Sequence, residues 1–324
     1  MLVSIIVLAA GFFALIKGAD WFVEGSADFA RFLHIPGLII GLTIVAMGTS
    51  APELAVSTSA ALKGSNEIAL SNVVGSNIFN LLVVLGACAL FTPLPVDRIT
   101  IRRDCSLSLA VTAFILLSAC GKSILSGKWV GSDMSSRVGM VSRWIGAIAV
   151  LIFLGYMLVL IVQALRHPEE NDSVPSRPLW KCMVLILGGI LMIIAGGQMV
   201  VESARSIATS FGVSETLIGL TIVAVGTSLP ELVTSVVAAR KGEASLAVGN
   251  VIGSNIFNIL LILGVSSVIH PIGVNAASVF DLIILLLVTA IAMFFAITEK
   301  SINRKEGIVM LLFYVSYMIF AGTR

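Results

Sequence analysis

Glu53 and Glu231 each stand about midway along a long apolar stretch that offers no lysine or arginine at the same depth. An ionisable side chain near the centre of a bilayer costs about 2.5–3.5 kcal/mol on insertion scales, so something must offset it. Without a basic partner, the offset has to be a bound cation, a proton, or hydrogen bonds between helices. The residues around the glutamates favour the cation. Each ends the same run, Gly-Thr-Ser-x-Pro-Glu, in which Pro52 or Pro230 withholds an N–H from the carbonyl four residues earlier, that of Gly48 or Gly226. Each helix should therefore kink or unwind at this point and free carbonyl oxygens that lipid cannot satisfy. Thr49 and Ser50 precede Glu53 by four and three residues, as Thr227 and Ser228 precede Glu231, so their hydroxyls share the helix face of the carboxylate.

A second polar motif, Gly-Ser-Asn-Ile-Phe-Asn, follows each of these runs. Asn72, Ser76 and Asn80 are spaced four apart and form one polar stripe on an apolar helix, repeated as Asn250, Ser254 and Asn258. Small and amide side chains also mediate close packing between membrane helices, a task expected here of Gly75 and Gly253. Carboxylate, hydroxyl, amide and carbonyl oxygens without histidine or cysteine suit hard cations such as Ca²⁺ and Na⁺. His34, His167 and His270 lie at span ends or in connections, away from these oxygens. Two glutamates supply the negative charge that one Ca²⁺ would neutralise, and Na⁺ competing for the same oxygens would give exchange.

The elements that must hold these residues follow from composition. The chain has 324 residues, 58% of them hydrophobic and 12% charged, far from the balance of a soluble domain. Apolar windows fall at 2–25, 36–62, 67–92, 104–120, 143–165, 180–204, 215–239, 244–269, 276–297 and 306–322, long enough for ten spanning helices. These continuous runs lack the alternation of a membrane β-barrel, so the fold expected is an all-α membrane protein. A net charge of +2 leaves no basic stripe for nucleic acid. Cys88, Cys105, Cys120 and Cys182 show no metal-binding spacing and read as packing thiols. The stretch from Met1 to Gly25 lacks a basic leader and reads as a retained first helix.

The sequence repeats itself. Gly41–Gly86 aligns without a gap to Gly219–Gly264, at an offset of 178, with 29 identities in 46 positions. A tandem duplication of this kind divides the chain into a first five-helix repeat at 1–165, a linker at 166–179 and a second five-helix repeat at 180–324. An odd number of spans per unit makes the two repeats enter the membrane from opposite sides, the inverted-repeat layout of many transporters, whose binding site lies at the midplane. Connections after odd-numbered helices carry twelve lysines and arginines against seven on the other face, which places both termini outside. Lys17, Asp20 and Glu24 near the end of the first helix, and Glu202 and Arg205 at the end of the sixth, read as interfacial pairs.

Taken together, the paired motifs resemble the two repeats of the calcium/cation antiporter superfamily, which includes the sodium/calcium exchangers. The motif resemblance covers residues 36–90 and 214–268. It implies that Glu53 and Glu231 are the central Ca²⁺ ligands. It further implies that Thr49, Ser50, Ser76, Thr227, Ser228 and Ser254, with the main-chain carbonyls of Ala46 and Ala224, serve Ca²⁺ or flanking Na⁺ sites. Asn80 and Asn258 occupy the last polar position of each motif, where some relatives, notably potassium-dependent ones, carry Asp. No cofactor is implied beyond the transported ions, and the expected address is a bacterial inner membrane. The function this points to is exchange of Ca²⁺ for Na⁺ by alternating access. Exchange of Ca²⁺ for H⁺ by the same acids and a cation channel remain the competing readings. An intramembrane enzyme is disfavoured, because Ser50 and Ser228 have no nearby His or Lys base.

Overall fold

The computed structural model describes residues 2–64, 66–127, 129, 133–166, 177–211 and 224–323. The first half comprises α1 (Leu2–Leu33), α2 in two pieces (α2a, Gly37–Thr49; α2b, Ala51–Leu62), α3 (Ile68–Phe91), α4 (Arg98–Leu125) and α5 (Arg143–Arg166). The second comprises α6 (Leu179–Ser210), α7 in two pieces (α7a, Ala224–Thr227; α7b, Leu229–Arg240), α8 (Ala244–Ile269), α9 (Ala276–Glu299) and α10 (Arg304–Thr323). Among the described residues, eight helices are long and apolar enough to cross a membrane, and nine when the bent pair α2a–α2b counts as one span. The apolar window at 215–239 falls partly outside the described residues, as does His167.

Several helices run past the apolar windows that announced them. α1 continues to Leu33, α4 spans Arg98–Leu125 and α6 continues to Ser210. Hydropathy stops at the first charges, but helix geometry does not, because charges paired outside the apolar layer leave the backbone ladder intact. Toward its end α1 carries Asp20 and Glu24 inside the window and Asp28 in the extension, spaced four apart on one face. Arg177 reaches Glu24 and Asp28 at 2.7 and 2.9 Å, and Lys241, in the connection after α7b, pairs with Asp20 and with Glu24. Arg31 joins Asp28 to Glu243. Asp20 and Glu24, which the sequence presented as interfacial pairs with Lys17, thus belong with Asp28 to one network tying α1 to the residues just ahead of α6 and to the α7–α8 connection, a network that Glu202 and Arg205 do not join in the ion pairs among the described residues.

Short strands in the connections depart from a purely helical expectation. β1 (Leu94–Pro95) pairs antiparallel with β4 (Ser301–Ile302), and β2 (Arg137–Val141) with β3 (Ile272–Asn275). Both ladders join a connection of the first half to one of the second. Caps fix where the following helices start: the Asp97 carboxylate accepts from the Thr100 N–H ahead of α4, and Asn275 accepts from the Ser278 N–H ahead of α9.

α3 and α8 form the centre, with 78% of their most apolar window buried against 11–33% for the other long helices except the bent pair. Glycine lets the neighbouring backbones approach. A Cβ on Gly253 would lie 2.7 Å from the Leu42 backbone and 2.8 Å from the Ala46 Cβ, so α8 and α2a touch along their main chains. The counterpart Gly75 has nothing within 4 Å among the described residues; the segment equivalent to Leu42 in the second half, around residue 220, lies outside them. α1 and α6 cross through Gly18 against Gly189 and Gly11 against Gly196, where an added Cβ would meet carbonyl oxygens at 2.9 and 3.0 Å.

These contacts generate a prediction for stability. Gly18→Val forces a side chain against the Gly189 carbonyl and the Met192 Cβ, an overpacking that costs about 1–3 kcal/mol. Its thermal unfolding midpoint in detergent should fall by several degrees, whereas Gly155→Ala, which points into open space on the α5 helix, should not lower it.

Candidate functional site

The proline runs break their helices as expected, at a single serine in each. α2a and α2b meet at 49°, with Ser50 between them at φ −84° and ψ 9°. α7a and α7b meet at Ser228, at φ −93° and ψ 4°. Pro52 and Pro230 occupy the first turn of the new half-helix, where a missing N–H costs nothing. This turn also carries Glu53 and Glu231, which sit beside the free N–H groups and the positive end of a helix dipole. The Ala46 carbonyl accepts the Ser50 N–H at 3.0 Å and faces the Thr49 hydroxyl at 3.4 Å, while Ala224 is helical, in α7a.

Both glutamates are fully buried, as are Thr49, Ser50, Ser228, Asn80, Ser254 and Asn258, and Ser76 is 2% exposed. They come together crosswise. Ser50 donates to Glu231 Oε1 at 2.8 Å, and Ser228 lies 3.2 Å from Glu53 Oε1 and 3.0 Å from Ser76 Oγ. Each carboxylate is therefore held by the serine at the other helix break, whereas the sequence suggested a shared face within one helix. Thr49 donates to Asn250 Oδ1 at 3.0 Å and lies 3.5 Å from Ser254 Oγ. Thr227 donates to Asn72 Oδ1 at 3.4 Å. The hydroxyls of one half thus face the polar stripe of the other.

The stripes divide by depth along the helix. Asn72 and Asn250 act as fasteners, their amides donating to Ser57 and Ser235 at 3.0 and 2.9 Å on α2b and α7b. Asn80 and Asn258 open a π-helical turn on α3 and α8, at Asn80–Val84 and Asn258–Ile262. Their amide nitrogens donate to Asn255 Oδ1 and Asn77 Oδ1 at 3.1 and 2.9 Å. Asn77 and Asn255 escaped the sequence reading, since a stripe counted every fourth residue passes over the position after Ser76 and Ser254. Their presence in the repeated Gly-Ser-Asn was the signal available.

Four buried oxygens in this region have no hydrogen-bond partner among the described residues: Glu53 Oε2, Glu231 Oε2, Asn80 Oδ1 and Asn258 Oδ1. Leaving such an acceptor unmet costs about 1–3 kcal/mol, and more for a charged group, so this is a place built for something that donates to oxygen or is coordinated by it. An all-oxygen donor set carrying two carboxylates fits a dehydrated hard cation. His34 and His270 follow α1 and α8 outside this set.

Comparison with known proteins places the chain in context. The family model described as sodium/calcium exchanger protein matches residues 3–162 and 181–323. The putative antiporter CaxA of Alkalimonas amylolytica is 39% identical over 98% of both chains. The sodium/calcium exchanger MaX1 of Methanosarcina acetivorans is 33% identical, again over 98% of both. A solved structure of the sodium-calcium exchanger NCX_Mj, soaked with 10 mM Na⁺ and zero Ca²⁺, superposes with a TM-score of 0.82 at 27% identity, covering 98% of each chain.

The crossed serines allow a test that needs no transport assay. Ser50→Ala strips Glu231 Oε1 of its donor, and Ser228→Ala does the same for Glu53. Interhelical hydrogen bonds within membranes contribute about 0.6–1.7 kcal/mol, and a buried carboxylate acceptor belongs at the upper end. Each variant should melt at a lower temperature than the parent in ion-free detergent buffer; an unchanged melt for both would contradict the crossed arrangement.

Proposed function

Because the chain belongs to the sodium/calcium exchanger protein family, whose members are multi-pass membrane antiporters and not enzymes, we propose that it moves Ca²⁺ across the membrane in exchange for Na⁺. The observation that carries this reading is the pair of buried glutamates, one from each half, each hydrogen-bonded by the serine of the other half and flanked by oxygens with no partner among the described residues. In this reading Glu53 and Glu231 hold Ca²⁺ at the centre. Thr49, Ser50, Ser76, Asn80, Thr227, Ser228, Ser254 and Asn258, with the carbonyls of Ala46 and Ala224, complete its shell or hold the Na⁺ that replaces it. Two carboxylates balance one divalent ion or two monovalent ones, so the same oxygens accept either load and the ions exclude each other by charge as well as by space.

The architecture proposed with it is ten spanning helices in two inverted five-helix repeats, at 1–165 and 180–324, joined by a linker at 166–179. Contacts at the 178-residue offset support that layout, because they are reciprocal: Ser50 to Glu231 answers Ser228 to Glu53, and Asn72 to Ser57 answers Asn250 to Ser235. Helices α1 and α6 cross by the same rule, Gly11 on Gly196 answering Gly18 on Gly189. The excess of basic residues after odd-numbered helices supports both termini outside. The likeness to CaxA agrees with a bacterial inner membrane as the address. Alternating access then needs only that the peripheral helices, packed through bare glycine backbones, shift over a fixed centre.

The experiment is Ca²⁺ uptake into proteoliposomes under an imposed Na⁺, K⁺ or H⁺ gradient. A Na⁺ gradient should drive accumulation, and Glu53→Gln and Glu231→Gln should each abolish it while the protein still purifies as a folded species. Accumulation driven by a pH gradient alone would replace Na⁺ by H⁺ as the driving ion, and rapid uncoupled flux would make the protein a channel.

A further inference from the structure

At the centre of the molecule, where α3 crosses α8, Asn77 and Asn255 face each other. These two asparagines are equivalent at the 178-residue offset and are 0% and 1% exposed. The Asn77 amide nitrogen donates to the Asn255 main-chain carbonyl at 3.1 Å, and the Asn255 amide nitrogen donates to the Asn77 carbonyl at 3.3 Å. A main-chain carbonyl only accepts, so each of these amides is fixed with its NH₂ toward the opposite backbone and its oxygen turned away. That oxygen in turn only accepts. Asn258 must offer its NH₂ to Asn77 Oδ1, at 2.9 Å, and Asn80 must offer its NH₂ to Asn255 Oδ1, at 3.1 Å. The opposite ends of those two amides, Asn80 Oδ1 and Asn258 Oδ1, are buried oxygens with no hydrogen-bond partner among the described residues.

We propose that Asn77 and Asn255 are positioning residues that set the amide orientation of Asn80 and Asn258, so that each presents its oxygen and not its NH₂ to the cation. The inference rests on the exchanger reading above and extends it to two residues outside the ligand set. A free asparagine amide is nearly symmetric in shape, and turning it over replaces a cation ligand by two hydrogens of the wrong polarity. A fixed main-chain acceptor at the start of the relay removes that ambiguity. Asn80 lies one helical turn from Ser76, which touches Ser228, which in turn touches Glu53, so the oriented amide belongs to the same polar face. The relay also crosses between the halves: Asn255 of the second orients Asn80 of the first, and Asn77 of the first orients Asn258 of the second.

The test compares two near-isosteric replacements by the Ca²⁺ dependence of Na⁺-driven uptake. Asn255→Leu keeps the branching and heavy-atom count of the side chain and removes the relay. Asn255→Asp, in its neutral acid form, keeps a donor for the Asn77 carbonyl and an acceptor for the Asn80 amide. Asn255→Leu should raise the KM for Ca²⁺ about tenfold with maximal turnover within about twofold of the parent, and Asn255→Asp should restore the parental KM. The same pair at Asn77 should behave alike through Asn258. A parental KM in the Leu variants, or an equal rise in the Leu and Asp variants, would overturn the positioning role while leaving the exchanger reading intact. A parent protein that takes up no Ca²⁺ on a Na⁺ gradient would overturn both. Should the Leu variants fail to fold, the Asp variants decide: a parental KM supports the relay and a raised one overturns it.

Discussion

Two carboxylates buried in the apolar interior, with no basic side chain beside them, are the constraint on which the rest of this structure turns. Each would be costly alone, and the chain supplies no fixed positive charge to offset it. Among the described residues the compensation is partial: a serine hydroxyl bonds each acid, the N-terminal turn of a half-helix lies beneath it, and one oxygen of each acid has no hydrogen-bond partner. A fully satisfied network would hold the glutamates in place and give a passing ion nothing to gain. Incomplete satisfaction is what makes an ion able to complete the site, and what makes the site unable to remain empty cheaply in the proposed exchange.

The compensation is exchanged between the halves. A serine at each helix break serves the acid of the opposite half, the threonines face the opposite stripe, and the asparagine pair in the middle joins both. Neither half could therefore form its share of the site alone. The proline breaks make this possible, since they put a non-helical serine and a fresh helix N-terminus at the same depth as the carboxylate. Away from the centre the contacts differ in kind: α1 and α6 meet along glycine backbones, the α1 residues Leu15, Ala19, Phe22 and Val23 pack into the core, and ion pairs secure the end of α1.

Much of this was legible in the sequence because the signals were local or periodic. The glutamates, the helix breaks at Pro52 and Pro230 and the two stripes all follow from residue type and spacing. The helix ends were less legible: hydropathy cannot see that Asp20, Glu24 and Asp28 would be paired by Arg177, Lys241 and Arg31 from remote parts of the chain. The pairing of β1 with β4 and of β2 with β3 was equally invisible, since each strand is too short to announce itself and forms only because its mate is delivered by the other half.

By itself the sequence determined that the chain enters a membrane, that it is duplicated, and that each copy places an acid, hydroxyls and amides at one depth, because composition, period and spacing act along a single helix. Which hydroxyl meets which acid was decided by the tertiary structure alone. Spacing put Ser50 on the face of Glu53, but the helix break turns its hydroxyl toward Glu231. Likewise, only the crossing of α3 and α8 gives Asn77 and Asn255 a backbone carbonyl to bind, and with it a fixed direction for the amides beyond them. A hydrogen bond needs both partners within about 3 Å, and for residues 178 positions apart no pattern along the chain can supply that distance.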